Sequence, residues 1–311
     1  MYTIKTVPED FVVEELPIVE MKPQGKFVYF WLKKRDYTTL DAVQAIARQL
    51  HVRVEGVGVA GNKDKRAVTK QLCSVSVRYE SALQSFQHER VQLEIVGYGD
   101  DPVVTGLLQG NHFSIIVRNT AVLPQKREWF VNFFGEQRFS SLNVAIGKAL
   151  LQNDFKKAIE LLHQAKTRIV LSEGNDVVQM LRSVPKKLLK LFVHAYQSQL
   201  WNEIVQELTK EQATDLDLKV PLPGFGFDGP EEIRTRYEQL LEKDHLSFNA
   251  FVIRQLPDIS GEAQERNVWV RVPDLTISQK QDSTLLLTFT LPKGAYATEV
   301  VRQLFEDKKI V

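Results

Sequence analysis

Gly61-Asn62-Lys63-Asp64-Lys65-Arg66-Ala67-Val68-Thr69-Lys70-Gln71 sets one carboxylate among four cations, directly after the run Gly56-Val57-Gly58-Val59-Ala60-Gly61. That run reads as a short buried strand ending in a turn, because a few apolar residues are bounded by glycine. Asp64 then falls where a strand gives way to a loop. Two readings stand: a working acid, or an exposed loop whose surface ion pairs contribute less than about 1 kcal/mol each. A solvated charge run on a helix face would intersperse its signs, and this one does not.

The flanking sequence builds a sheet. Phe27-Val28-Tyr29-Phe30-Trp31-Leu32 is a continuous apolar run rich in aromatics, which predicts a strand buried on both faces. Val91, Leu93 and Ile95 alternate with polar residues, and Phe113, Ile115 and Val117 repeat the alternation. Between the first two strands, Thr38 or Thr39 caps an expected helix that carries Leu40, Val43, Ile46, Ala47 and Leu50 on one face.

From about residue 140 to 266 the pattern turns helical. Leu188, Leu191, Phe192 and Ala195, then Trp201, Ile204, Val205 and Leu208, keep three-and-four spacing, with a break or change of direction expected near the middle. Val268–Val272 and Leu285–Leu291 return to strand. The expected fold is therefore α+β: a sheet domain that takes its last strands from the C-terminal segment and holds a helical insertion.

A chain of 311 residues with 43% hydrophobic content buries a substantial core. Forty Lys plus Arg against thirty-nine Asp plus Glu leave a net charge of +1, so any nucleic-acid surface is local rather than global. The single Cys73 excludes an intrachain disulfide, and six scattered histidines give no metal-ligand spacing. The start Met1-Tyr2-Thr3-Ile4-Lys5 lacks a signal-peptide core and no stretch reaches the ~20 apolar residues of a bilayer span, so the expected location is the cytoplasm.

Several segments together resemble the TruD family of pseudouridine synthases. They are Ile4-Lys5-Thr6-Val7-Pro8-Glu9-Asp10-Phe11-Val12-Val13-Glu14-Glu15, the Asp64 segment, Gly110-Asn111-His112-Phe113 with Arg118, Asn132-Phe133-Phe134-Gly135-Glu136-Gln137-Arg138-Phe139, and Leu291-Pro292-Lys293-Gly294-Ala295-Tyr296-Ala297-Thr298 with Arg302. Ala195-Tyr196-Gln197-Ser198-Gln199-Leu200-Trp201-Asn202 is similar to a helix of that family's inserted domain. The resemblance implies a catalytic domain over 1–154 and 267–311, built on a large mixed, mostly antiparallel sheet, and an inserted helix-rich α/β TRUD domain over 155–266.

It also implies roles. Asp64 is the expected catalytic carboxylate and Lys5 its partner; Lys63 is a rival partner, but on an extended chain its side chain points to the opposite face. A base extruded from structured RNA needs its π-face held and its edge read. Phe134 is the expected stacking ring, Phe11 and Tyr296 line the pocket, and Asn132 hydrogen-bonds the substrate. Lys65, Arg66 and Arg138 are expected on phosphates, with Lys70 and Arg118 and, in the insertion, Lys166, Arg168, Arg182, Lys186, Lys187 and Lys190. Read without the resemblance, each of these has an ordinary role as a core ring, a turn amide or a surface cation.

The implied activity is cofactor-free and metal-free isomerisation of uridine to pseudouridine in tRNA, at position 13, by a monomer with no membrane or protein partner. The carboxylate would act as a nucleophile at C1′ or C6, or as the base that removes a ribose proton. An alternative is a noncatalytic RNA-binding or RNA-folding protein, though Asp64, Asn132 and Phe134 together exceed what a pure binder needs. A glycoside hydrolase or nuclease pairing Glu9 or Glu14 with Asp64 would require two carboxylates at a defined separation, which the spacing does not establish.

Overall fold

The computed structural model describes residues 2–120, 122–139, 142–165, 174, 176–211, 215–281 and 283–305. The chain forms two compact units: among the described residues one takes 2–130 and 271–305, the other 131–270. The insertion limits of 155 and 266 both fall inside the second unit.

In chain order the first unit begins with β1 (Phe11–Pro17), β2 (Phe27–Arg35), α1 (Thr39–Leu50), β3 (Gly58–Val59), β4 (Val68–Ser76), α2 (Glu80–Gln84), β5 (Val91–Gly99) and β6 (Leu108–Arg118). The chain changes unit within β7 (Trp129–Val131). The second unit holds α3 (Asn143–Leu151), α4 (Phe155–Gln164), α5 (Val177–Ser183), α6 (Lys186–Glu211), β8 (Lys219–Pro221), α7 (Glu231–Lys243) and β9 (Glu265–Asn267). The return is made in β10 (Trp269–Arg271), followed by β11 (Thr276–Gln281), β12 (Thr284–Pro292) and α8 (Ala297–Phe305).

Among the described residues, eight strands of the first unit make one sheet in the order β11-β12-β6-β1-β4-β2-β5, with β3 paired to β4. β1 and β4 run parallel and the other pairs antiparallel, as the mixed α+β reading expects. The C-terminal hairpin β11-β12 completes one edge on β6.

β2 is covered on both faces because its side chains alternate into two clusters. Val28, Phe30 and Leu32 meet the Ala42, Val43, Ile46 and Leu50 stripe of α1, while Tyr29 joins Leu72 and Val103. Each fully buried branched aliphatic contributes ~1.5–3 kcal/mol, so Ile46→Ala would weaken this face most directly. Thr38 caps α1 by accepting from the Asp41 amide, and His51 ends the helix in the left-handed region at φ 53. Leu40, expected on the buried face, is instead exposed, at the edge of the stripe in the first turn.

In the second unit α6 is continuous over 26 residues, with no break at its middle. It has no internal glycine or proline, and it is buried around Ala195–Ser198, so its polar residues do not mark a wet face. Gln197 instead donates to the carbonyls of Pro223 (2.7 Å) and Glu262 (3.1 Å), and Trp201 to that of Val220 (2.9 Å). α3 packs on α6 at Gly147, where a Cβ would stand 2.0 Å from the Phe192 carbonyl oxygen. That approach ties residues from 143 onward to the helices, earlier than 155.

Candidate active site

The Asp64 loop joins β3 to β4. The expected strand over 56–61 shrinks to Gly58–Val59, because a one-turn 3-10 helix occupies Val54–Gly56. At Gly58 a Cβ would meet the Val103 carbonyl oxygen at 2.4 Å and Ser74 Oγ at 2.5 Å, so only glycine allows this approach.

A buried scaffold holds the loop from within the sheet domain. Gln71 donates to the Gly61 carbonyl (3.0 Å), and Thr39 Oγ1 donates to Gln71 (2.9 Å) while accepting from the Lys63 amide (2.9 Å). Lys34 donates to the main-chain carbonyls of Asp64 (2.7 Å) and Lys63 (3.4 Å). The Lys63 side chain turns inward, 2.6 Å from Glu15 Oε2, and donates to Asn111 (2.6 Å). Glu15 and Asn111 are register partners on β1 and β6, and Glu15 also accepts from the Leu72 amide (3.2 Å). Lys63 and Asp64 therefore point apart, as alternation requires.

Lys5 supplies the partner of Asp64: its Nζ lies 2.8 Å from Oδ2, with the two side chains 21% and 26% exposed. Lys5 has φ 56, a left-handed conformation that costs a non-glycine residue on the order of 1–2 kcal/mol. The surroundings enforce it. Thr3 exchanges both main-chain hydrogen bonds with Arg118 at 2.9 Å, and Arg66 donates to the Thr6 carbonyl (2.9 Å). Asp10 takes a bidentate grip from Arg118 (2.6–3.1 Å) and accepts from the Val7 amide (3.1 Å). Burial works against an ionised Asp10, yet Arg118 and the Val7 and Thr6 amides outweigh it and hold the carboxyl below its ordinary value.

Phe11 is buried with its ring 4.0 Å below the Lys5 ammonium, and it continues into a ring row with Phe113 (6.0 Å) and Phe289 (5.6 Å from Phe113). Tyr296 is half-buried beyond β12, not in a strand; its carbonyl accepts from Glu299 and Val300 at the start of α8. Lys65 and Arg66 are exposed, and Lys70 lies over the Trp31 ring at 4.6 Å.

Asn132, Phe134 and Arg138 belong to the second unit. The Asn132 amide is fixed on two sides, Oδ1 accepting from Arg266 Nη2 (2.8 Å) and Nδ2 donating to the Asn267 carbonyl (3.1 Å). Arginine has only donors, so this orientation is dictated. Phe134 exchanges hydrogen bonds with the Asn202 side chain through both its amide and its carbonyl (2.9 Å each). The residue is 6% exposed, its ring edge-on to Trp201 at 5.5 Å, with Arg266 4.0 Å and Arg138 5.2 Å from the ring centroid. Arg138 also donates to Ser198 (3.2 Å). On the insertion, Arg182 donates to the Gln255 carbonyl (3.1 Å), Lys186 pairs with Asp258, and Lys187 and Lys190 are exposed; Lys166 and Arg168 lie outside the described residues.

The residues that sequence reasoning missed are Lys34, Glu15, Asn202 and Arg266. The first two had a signal: Lys34 is in phase with Val28, Phe30 and Leu32 on β2, and Glu15 with Phe11 and Val13 on β1. Among the described residues, no group of three or more His, Cys, Asp or Glu side chains could hold a metal ion, and no helix is long and apolar enough to cross a membrane.

A family model described as tRNA pseudouridine synthase D (TruD) matches residues 2–168, 163–217 and 209–304. A tRNA pseudouridine synthase D of Aquifex aeolicus is 28% identical, the match covering 97% of each chain. The crystal structure of a Methanosarcina mazei protein described under the same name superposes with a TM-score of 0.68 at 23% identity, over 97% of this chain and 92% of that one, and so supports the fold. With almost its whole length matched by that one family, the chain belongs to the TruD tRNA pseudouridine synthases.

Proposed function

We propose that the chain converts an extruded uridine of tRNA, at position 13, to pseudouridine, with Asp64 as the working carboxylate. The observation that carries this reading is the Lys5–Asp64 pair at 2.8 Å, at the end of a loop whose main chain is fixed by buried groups. In the isomerisation the C1′–N1 bond breaks and a C1′–C5 bond forms; C5 gives up a proton and N1 takes one. Nothing is oxidised or reduced, so a placed carboxylate and an orienting site suffice. Asp64 serves as nucleophile at C1′ or C6, or as the base toward the ribose. Lys5 keeps the carboxylate aimed, and the Phe11 face steadies Lys5 through a cation–π contact.

Asn132 and Phe134 are assigned to the uracil, with Tyr296 as a further pocket residue, and Lys65, Arg66 and Arg138 to phosphates. Asn132 offers a donor, which suits a uracil carbonyl. Stacking on Phe134 is worth ~1–3 kcal/mol and asks a neighbouring guanidinium to yield its place over the ring. The protein acts in this reading as a cytoplasmic monomer.

Purified protein with uridine-labelled tRNA tests the assignment by counting pseudouridine formed. Asp64→Asn is expected to lose at least about 1,000-fold in turnover while keeping tRNA affinity within a few-fold. Normal turnover in that variant removes Asp64 from the mechanism.

A further inference from the structure

Lys34 is an anomaly of burial. A lysine is rarely enclosed without an acid of its own, yet this one is 2% exposed and its ammonium is spent on two main-chain carbonyls, those of Lys63 and Asp64. It stands where alternation along β2 would place another aliphatic residue after Leu32. A hydrocarbon there would satisfy the core. The ammonium instead fixes the carbonyl of the very residue whose side chain carries the reaction, and the Asp64 charge acts on it through space.

We propose that Lys34 is the positioning residue of the catalytic carboxylate: as an ammonium it clamps the Asp64 main chain and places behind the loop a buried positive charge that, unlike Lys63 on Glu15 and Lys5 on Asp64, has no carboxylate partner of its own. The inference rests on Asp64 having the role proposed above. Burial draws Lys34 down to about 8, against the pull of Asp64 and with the push of Lys63. The charged groups facing it are those two residues; its cross-strand partners Thr69 on β4 and Val91 on β5 do not titrate, and the buried stripe of α1 is uncharged. Lys5 and Glu15 stand one contact further away, on Asp64 and Lys63. Raising the pH should therefore weaken the clamp by removing its charge.

The test is single-turnover pseudouridine formation in saturating tRNA across pH 6–10, with wild type, Lys34→Met and Lys34→Arg. Wild type should lose rate on an alkaline limb at or above about pH 8. Lys34→Met should be about 100-fold slower than wild type below the limb and flat across the range, so that the gap narrows at high pH, with tRNA affinity within about three-fold, since a shift of the loop costs chemistry more than binding. Lys34→Arg, charged at every pH used, should lack the limb. In case the larger side chain does not fit, the 13Cε signal of Lys34 in lysine-labelled wild type, assigned by its absence from Lys34→Met, should titrate with the rate. A limb that persists in Lys34→Arg, a Lys34→Met rate equal to wild type below the limb, or a signal that does not move with the limb would each overturn the proposal. Wild type that makes no pseudouridine would instead refute the reading of function.

Discussion

The Asp64 loop and the Asn132–Phe139 segment are both held against buried structure, but by different forces. The first is fixed by ions inside the sheet domain: Lys63 on Glu15, and Lys34 on two carbonyls. The second is fixed by neutral exchange between Phe134 and Asn202, with guanidinium groups on its ring. Buried ions cost desolvation and hold only while their charges last; amide pairs cost less and ignore pH. A loop that must steady a carboxylate has reason to use the first.

The comparison breaks most visibly at Glu15. Glu15→Ala would leave the Lys63 ammonium buried with Asn111 alone and the Leu72 amide unmet, and should lower unfolding free energy in urea by about 3–5 kcal/mol. A loss under ~1 kcal/mol would mean that ions do not hold this loop. Next comes a titration near the second segment. Burial, with the charges of Arg138 and Lys190, lowers His194 to about 4 from its ordinary 6.5. A depressed folded value gives stability that is complete above 6.5 and lost as pH falls through 4, so the thermal midpoint should drop across that window. At ~1.36 kcal/mol per unit the effect is at most about 3 kcal/mol, and His194→Gln should flatten it.

Asn202→Ala removes both hydrogen bonds to the Phe134 main chain and should cost ~2 kcal/mol, with no dependence on pH between 7 and 9. Urea unfolding at the two pH values checks it; a pH-dependent loss would blur the contrast. The smallest effect is expected at Arg266. Arg266→Lys keeps a charge but loses the forked grip on Asn132, freeing the amide to turn, and should raise KM for tRNA about ten-fold with kcat within a few-fold.

Much of this was legible in the chain because it was local. The strand alternation over 91–95 and 113–117, the Thr38 cap and the pairing of Lys5 with Asp64 follow from short patterns and a family resemblance. What was not legible depended on distant partners. Arg266 meets Asn132 from β9, whose pairing with β8 sets Val220 against Arg266, and nothing within a few residues announces it. The break expected near the middle of α6 is absent, because the polar Gln197 and Ser198 at that point are satisfied by carbonyls from elsewhere in the second unit and from the helix itself. Lys34 is in phase with Leu32 on β2, but nothing within the strand announces that its ammonium meets the Lys63 and Asp64 carbonyls.

Lys5 reaches Asp64 on a free-running arm rather than from a strand of the sheet, and the arm is sewn down at Thr3, at Thr6 and at Asp10. Its ammonium can therefore be withdrawn without dismantling anything beneath it. On the roles proposed for Lys5 and Asp64, loss of the Thr3 stitch should lower pseudouridine formation more than it lowers stability.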